Sequence, residues 1–196
     1  MSKQALSRLT RLPLLAVALL TAACDDPFAN RAWPDLPDTL TVFSAYRPEY
    51  AGKPSAVSLT GSFVALVAIE DFGVTNQWDF MLGEESGNLL WVPSSVVPGR
   101  EDSRSSIAKM DGVTSLDEVR RAPEPGGDRY TKEPVVLEEG AVYVLRSRRS
   151  DVCYSRGSNY AKMQVVALDH ALGTVEFAIV RNPYCDNRDL VSPDDD

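Results

Sequence analysis

The sequence predicts a mainly β domain: an antiparallel β-sandwich or partly open barrel with one or two short inserted helices. Three observations lead there. The last third holds three β-rich runs of strand length, each bounded by turn chemistry. The middle holds an alternating run, Gln77 to Leu82, followed by a Gly-containing turn and a second apolar run. The helical signals, by contrast, are confined to stretches of about six residues around Ser105 to Met110 and Leu116 to Arg121.

Taken in chain order, Thr39 to Arg47 partly alternates and stops at Pro48, as a first strand followed by a turn would. Ser62 to Glu70 is apolar on both faces, the pattern of a strand covered on both sides, with a buried helix as the alternative that periodicity alone does not separate from it. In Gln77 to Leu82, Trp78, Phe80 and Leu82 share one face, which puts Asp79 on the other, as an exposed or backbone-capping residue. Gly83 to Asn88 reads as a hairpin turn into Leu89 to Val92. Ser115 stands three residues before Glu118, the capping-box spacing, and Pro123 ends the helix expected over Leu116 to Arg121. A second helical turn is expected around Ser105 to Met110, stopped by Gly112. Ala141 to Arg149, Tyr160 to Asp169 and Thr174 to Arg181 then form an antiparallel meander, with His170 to Gly173 as a four-residue hairpin loop.

The N-terminus has the three-part layout of an export segment. Lys3, Arg8 and Arg11 are basic, Leu12 to Leu20 is apolar, and Thr21, Ala22 and Ala23 precede Cys24. The apolar run is too short for a membrane span, which needs about 20 residues. Leu20-Thr21-Ala22-Ala23-Cys24 resembles the bacterial lipobox, with Thr21 where a Leu is usual, and implies cleavage before a lipidated Cys24. The competing reading is an ordinary secretory segment in which Cys24 is incidental or pairs with another cysteine. The domain boundaries that follow are 1–24 for the export segment, 25–38 for a Pro- and Asp-rich tether, 39–193 for one β-rich domain and 194–196 for an acidic tail. Within the tether, Phe28 and Trp33 are the residues able to dock on the domain.

Of the three cysteines, Cys153 and Cys185 remain once Cys24 is assigned to lipid, and an exported chain lies in a disulfide-permissive compartment, so a disulfide is expected. Removing residues 1–24 takes three of the 20 basic residues and none of the 28 acidic ones, leaving 17 against 28 and a charge of −11. That balance excludes a nucleic-acid partner and favours a domain held off anionic lipid. The membrane contact expected is the N-terminal lipid alone.

Two resemblances sit on these motifs. The Tyr143-Val144-Leu145-Arg146-Ser147 strand, with Tyr160-Ala161-Lys162-Met163, Gly173-Thr174-Val175-Glu176-Phe177 and Asn182-Pro183-Tyr184-Cys185, resembles uncharacterised exported bacterial lipoproteins over about a third of the chain. Trp78-Asp79-Phe80, the Tyr160 strand and the Gly173 strand are similar to stretches of the HmuY family of haem-capturing lipoproteins. Both imply a β-rich fold and a surface lipoprotein. Haem binding does not carry over, because that family uses paired histidines and this chain has His170 alone.

Chemistry-bearing residues are sparse. His170 reads as a solvated turn residue, and neither Ser147 nor Ser158 lies in a nucleophile elbow. No C-x-x-C spacing supports a metal, and Asp186 to Asp189 lacks calcium-loop spacing, so Asn187 and Asp189 read as turn caps beside the disulfide. No metal or cofactor is expected. Arg146, Arg148, Arg149 and Arg156 form a basic cluster that either neutralises nearby carboxylates or binds an anion. With Trp78 and Trp91, Arg146 and Arg148 make the candidate ligand surface, although strand aromatics also serve as core. The function expected is a non-enzymatic lipoprotein of the bacterial cell envelope that binds a ligand or partner protein, on the periplasmic or outer-membrane side; the alternative is an exported carboxylate-based hydrolase.

Overall fold

The computed structural model describes residues 33–34, 36–61, 63–71, 76–153 and 156–193. The export segment with Cys24, Phe28 and most of the tether, and the 194–196 tail, lie outside these described residues.

Among the described residues, alternating apolar side chains form ten strands in two antiparallel sheets that do not close into a barrel. The first sheet has the order β1 (Asp38–Phe43), β10 (Thr174–Arg181), β9 (Tyr160–Asp169), β8 (Val142–Arg146), β6 (Ser106–Lys109). The second has the order β3 (Ala65–Val67), β2 (Ala56–Ser58), β4 (Phe80–Glu85), β5 (Asn88–Pro93), β7 (Val135–Val136). The expected meander β8–β9–β10 is present, with bounds for β9 and β10 that match the β-rich runs. The β4–β5 hairpin turns at Ser86 and Gly87, both at positive φ (53° and 82°), the backbone a two-residue primed turn requires.

Between the sheets lies the main core. Phe80, Leu82 and Trp91 of the second sheet face Tyr143, Leu145, Met163, Phe177 and Ile179 of the first, all buried. Trp91 is fully buried between Phe80 (centroids 6.3 Å apart) and Phe177 (5.6 Å). The first sheet is apolar on its outer face too, where Ala108, Val142, Val144, Tyr160 and Val180 pack under Leu116, Val119, Ala122 and Leu190. This second layer explains why the insert between β6 and β7 carries buried apolar residues without a long helix.

Three local expectations are corrected. The run around Ser105 to Met110 is strand β6, because its backbone pairs with β8 on one side while Ile107 bridges Thr131 on the other. The helix over Leu116 to Arg121 contracts to a 3-10 turn, Leu116–Glu118. Its capping box forms, with Glu118 Oε1 accepting from Ser115 N at 2.9 Å. The turn cannot extend, since Arg120 O accepts from Leu190 N and Ala122 N donates to Arg188 O, each at 2.7 Å. The doubly covered strand expected over Ser62 to Glu70 is the three-residue edge strand β3, in which Leu66 stays exposed.

Cys153 and Cys185 form a disulfide. Beside it, Asp186 N donates to Ser158 O (2.8 Å) while Asp186 Oδ1 accepts from Ser158 N (3.0 Å), and the carboxylate occupies the space a Cβ on Gly157 would need.

Candidate functional site

The four residues expected to form a ligand surface do not come together. Trp91 is core, and Trp78 is 4 % exposed beneath Arg100, whose guanidinium carbon stands 4.6 Å from the ring centroid. Arg146 follows Val142 and Val144 onto the outer face of the first sheet, where it is paired with Tyr160 and hydrogen-bonded to its phenol. Arg148 turns the other way, to Asp79. The shared face expected for Trp78, Phe80 and Leu82 is corrected: Trp78 precedes β4 and packs with Met81, Leu90 and Val92, whereas Phe80 and Leu82 lie with Trp91 on the opposite face, toward the first sheet; both faces are covered.

Asp79 is the largest departure from expectation. It is fully buried rather than on an exposed outer face, although it does cap backbone as expected: Oδ2 accepts from Leu59 N (2.6 Å) and Oδ1 from Arg148 N (2.7 Å). Arg148 Nη1 lies 3.1 Å from the same carboxylate, and its guanidinium also donates to Ser58 Oγ (3.2 Å) and Thr60 Oγ1 (2.8 Å). Burial pushes the Asp79 carboxyl above its usual range, against the pull of Arg148 and the two amides. Two of the cluster's four arginines meet carboxylates: Arg148 pairs with Asp79, and Arg156 lies 3.5 Å from Asp151. With every Asp79 oxygen engaged and no exposure, this cluster braces the β2–β3 connection, the start of β4 and the end of β8.

His170 is exposed in the β9–β10 turn, with Nδ1 3.1 Å from Gly87 O. The same turn is gripped by Arg47, which bonds Glu84 Oε1 (2.6 Å) and His170 O (2.9 Å). Hydrogen bonding to Arg47 holds the Glu84 carboxyl below its ordinary value. Among the described residues, no three His, Cys, Asp or Glu side chains converge where a metal could sit.

An open pocket of about 430 Å³, within the size range of small-molecule sites, lies elsewhere. Its walls are Arg120 and Arg121 from the insert, Asn187 and Asp189 from the tail, and Trp33 with Pro193 from the two ends of the described chain. Trp33 therefore docks on the domain, as its place in the tether suggested. Asn187 caps its turn, accepting from Asp189 N at 2.9 Å, whereas Asp189 faces Arg121 at 3.8 Å. Sequence reasoning passed over Arg120 and Arg121; the available signal was two adjacent arginines just before Pro123 in an acidic chain.

Fold and site together define a two-sheet antiparallel β-sandwich with a disulfide-tied C-terminal tail and an open pocket. No protein-family model, no curated protein and no solved structure matches the chain.

Proposed function

We propose that the chain is a non-enzymatic lipoprotein of the bacterial cell envelope, anchored through acyl chains on Cys24, whose β-sandwich binds a ligand or partner protein. The observation that carries this reading is the Cys153–Cys185 disulfide. Such cross-links belong to oxidising compartments, and this one accounts for two of three cysteines; the third is Cys24, behind the lipobox-like Leu20-Thr21-Ala22-Ala23. Two or more acyl chains suffice for stable anchoring. Against the hydrolase alternative stands Asp79: a general acid must reach substrate, whereas this carboxylate is sealed by Arg148 and two backbone amides.

The test is fractionation of cells expressing the full chain. The protein should sediment with membranes and incorporate labelled palmitate, and Cys24→Ser should abolish labelling and release it from the membrane fraction. Unchanged fractionation without palmitate incorporation would sink the anchor.

A further inference from the structure

We infer that the end of the sandwich from which the tether leaves is a membrane-contacting face: Phe63 and Val152 enter the interface of an anionic lipid surface, while Arg104 and Arg149 meet its phosphates. The inference rests on the anchored lipoprotein proposed above and goes beyond it, because it gives the domain itself a contact with the lipid in addition to the acyl chains.

Chain topology defines this end. β1 begins there at Asp38, opposite Ile179 near the close of β10, and β8 passes into β9 there, with Arg146 opposite Tyr160. The second sheet contributes the end of β2 and the start of β4, where Val57 stands opposite Phe80. Arg148 fastens the loops of the two sheets together, donating to Thr60 Oγ1 (2.8 Å) and lying 3.1 Å from Asp79 Oδ1. The loop that carries Phe63 and the loop that carries Val152 are therefore joined near their bases.

Both loops put apolar side chains in water. Phe63 is 70 % exposed and Val152 59 %, and Leu36, two residues before β1, is 77 % exposed. Single exposed apolar residues are ordinary on a protein surface. Three on separate segments at one end, among arginines, make the amphipathic edge that a lipid interface takes up. Arg149 is exposed three residues before Val152, and Arg104 is partly exposed at the entry to β6; neither forms an ion pair among the described residues.

Charge separates this end from the other. The connections 58–64, 76–79, 94–105 and 147–159 hold five arginines against four acids, one of them the sealed Asp79. The opposite end, at 44–55, 84–87, 109–114, 137–141 and 169–173, holds Arg47, Lys53 and Lys109 against seven acids. Even when Asp186, Arg188 and Asp189 of the tail are added, the tether end is neutral in a chain whose formal charge is −8. Tyr46 and Leu172 are exposed as well, but they stand at the acidic end, which anionic lipid repels. The charge that favours a domain held off anionic lipid thus sits away from the end where the tether enters.

The tether lets a weak face suffice. Fourteen residues separate Cys24 from Asp38 and reach at most ~50 Å. Acyl anchoring within that range makes docking an intramolecular step, so a few shallow contacts are held at high effective lipid concentration.

The test uses the full chain as the cell lipidates it, reconstituted into vesicles of phosphatidylethanolamine and phosphatidylglycerol with brominated acyl chains, against unbrominated vesicles of the same composition. Phe63→Trp and, in a separate protein, Leu172→Trp place a reporter at each end, both in a Trp33→Phe background; Trp78 and Trp91 are shielded and common to both. Bromine should quench the Phe63→Trp reporter at least about twofold more than the Leu172→Trp reporter. Adding Arg104→Gln with Arg149→Gln, or replacing phosphatidylglycerol by phosphatidylcholine, should shrink that difference, and thermal melts should match the parent because neither arginine pairs. Equal quenching at both ends, no quenching at either, or quenching indifferent to both arginines and to lipid charge overturns the inference. Flotation of the same vesicles reads the anchor: a chain that floats with any of those results loses this face alone, whereas a chain that does not float loses anchor and face together.

Discussion

Arg148 Nη1 lies 3.1 Å from Asp79 Oδ1, and no surface of the carboxylate reaches solvent. A carboxylate in that position is tolerable because the guanidinium and two N–H groups surround it. Removing it leaves those donors and the charge of Arg148 without a partner. Asp79→Ala should therefore lower unfolding free energy by about 3 kcal/mol, the lower end for a broken buried pair because Arg148 keeps some exposure. Combining Asp79→Leu with Arg148→Met should recover part of the loss of either single change. Urea melts of the four proteins give the coupling; strict additivity would mean the pair does not interact.

Gly173 tests a close approach. At φ +64° it sits beneath the Arg47–Glu84 pair, and a Cβ would fall on Glu84 Oε1 and the Arg47 guanidinium. Gly87 has φ +82° with open space around it. Gly87→Ala should cost about 1 kcal/mol of backbone strain, and Gly173→Ala about 1–2 kcal/mol more. Equal losses in thermal melts would refute the contact argument.

Glu84 sets part of the acid response. Its folded pKa is depressed, chiefly by the hydrogen bond from Arg47, so its contribution is full above the unfolded value of about 4.5 and is lost as pH falls through the folded one. Melting temperature should fall from about pH 5 downward, and Glu84→Gln should flatten that limb while lowering the plateau above it. A parallel acid limb in the variant would remove Glu84 from the account.

The disulfide closes a loop of 32 residues, for which chain entropy gives ~3.5–4 kcal/mol. Cys153→Ser with Cys185→Ser should lower stability by that order. Free-thiol labelling of either cysteine in native protein would contradict the bond.

Haem added to the purified chain should give no Soret signature of paired-histidine ligation. His170 is the chain's one histidine, and its Nδ1 is already 3.1 Å from Gly87 O. A tight stoichiometric band would force another ligand to be found.

Much of the fold was legible in the sequence wherever the determinant was local. Tyr160–Asp169 and Thr174–Arg181 alternate cleanly and end at turn residues, so their bounds follow from side-chain period alone. The Ser115–Glu118 capping box and the Ser86-Gly87 turn are equally local. Edge position was not legible: Ala65–Val67 is short because it pairs with β2 alone, and no property of Ser62 to Glu70 records that.

What the chain determined by itself was the two-residue period, the turns and the cysteine pair, because each depends on neighbours in sequence or on a count. Tertiary structure decided which faces are covered. An insert layer over the first sheet leads Arg146 to Tyr160, and Trp78 lies closed beneath Arg100. Asp79 turns inward because a guanidinium 69 residues later arrives to meet it. The Arg120–Arg121 pocket exists only because Asn182 and Leu190 draw the tail back across the insert. Burial is a property of pairs of distant segments, and residue types constrain it without specifying which segments meet.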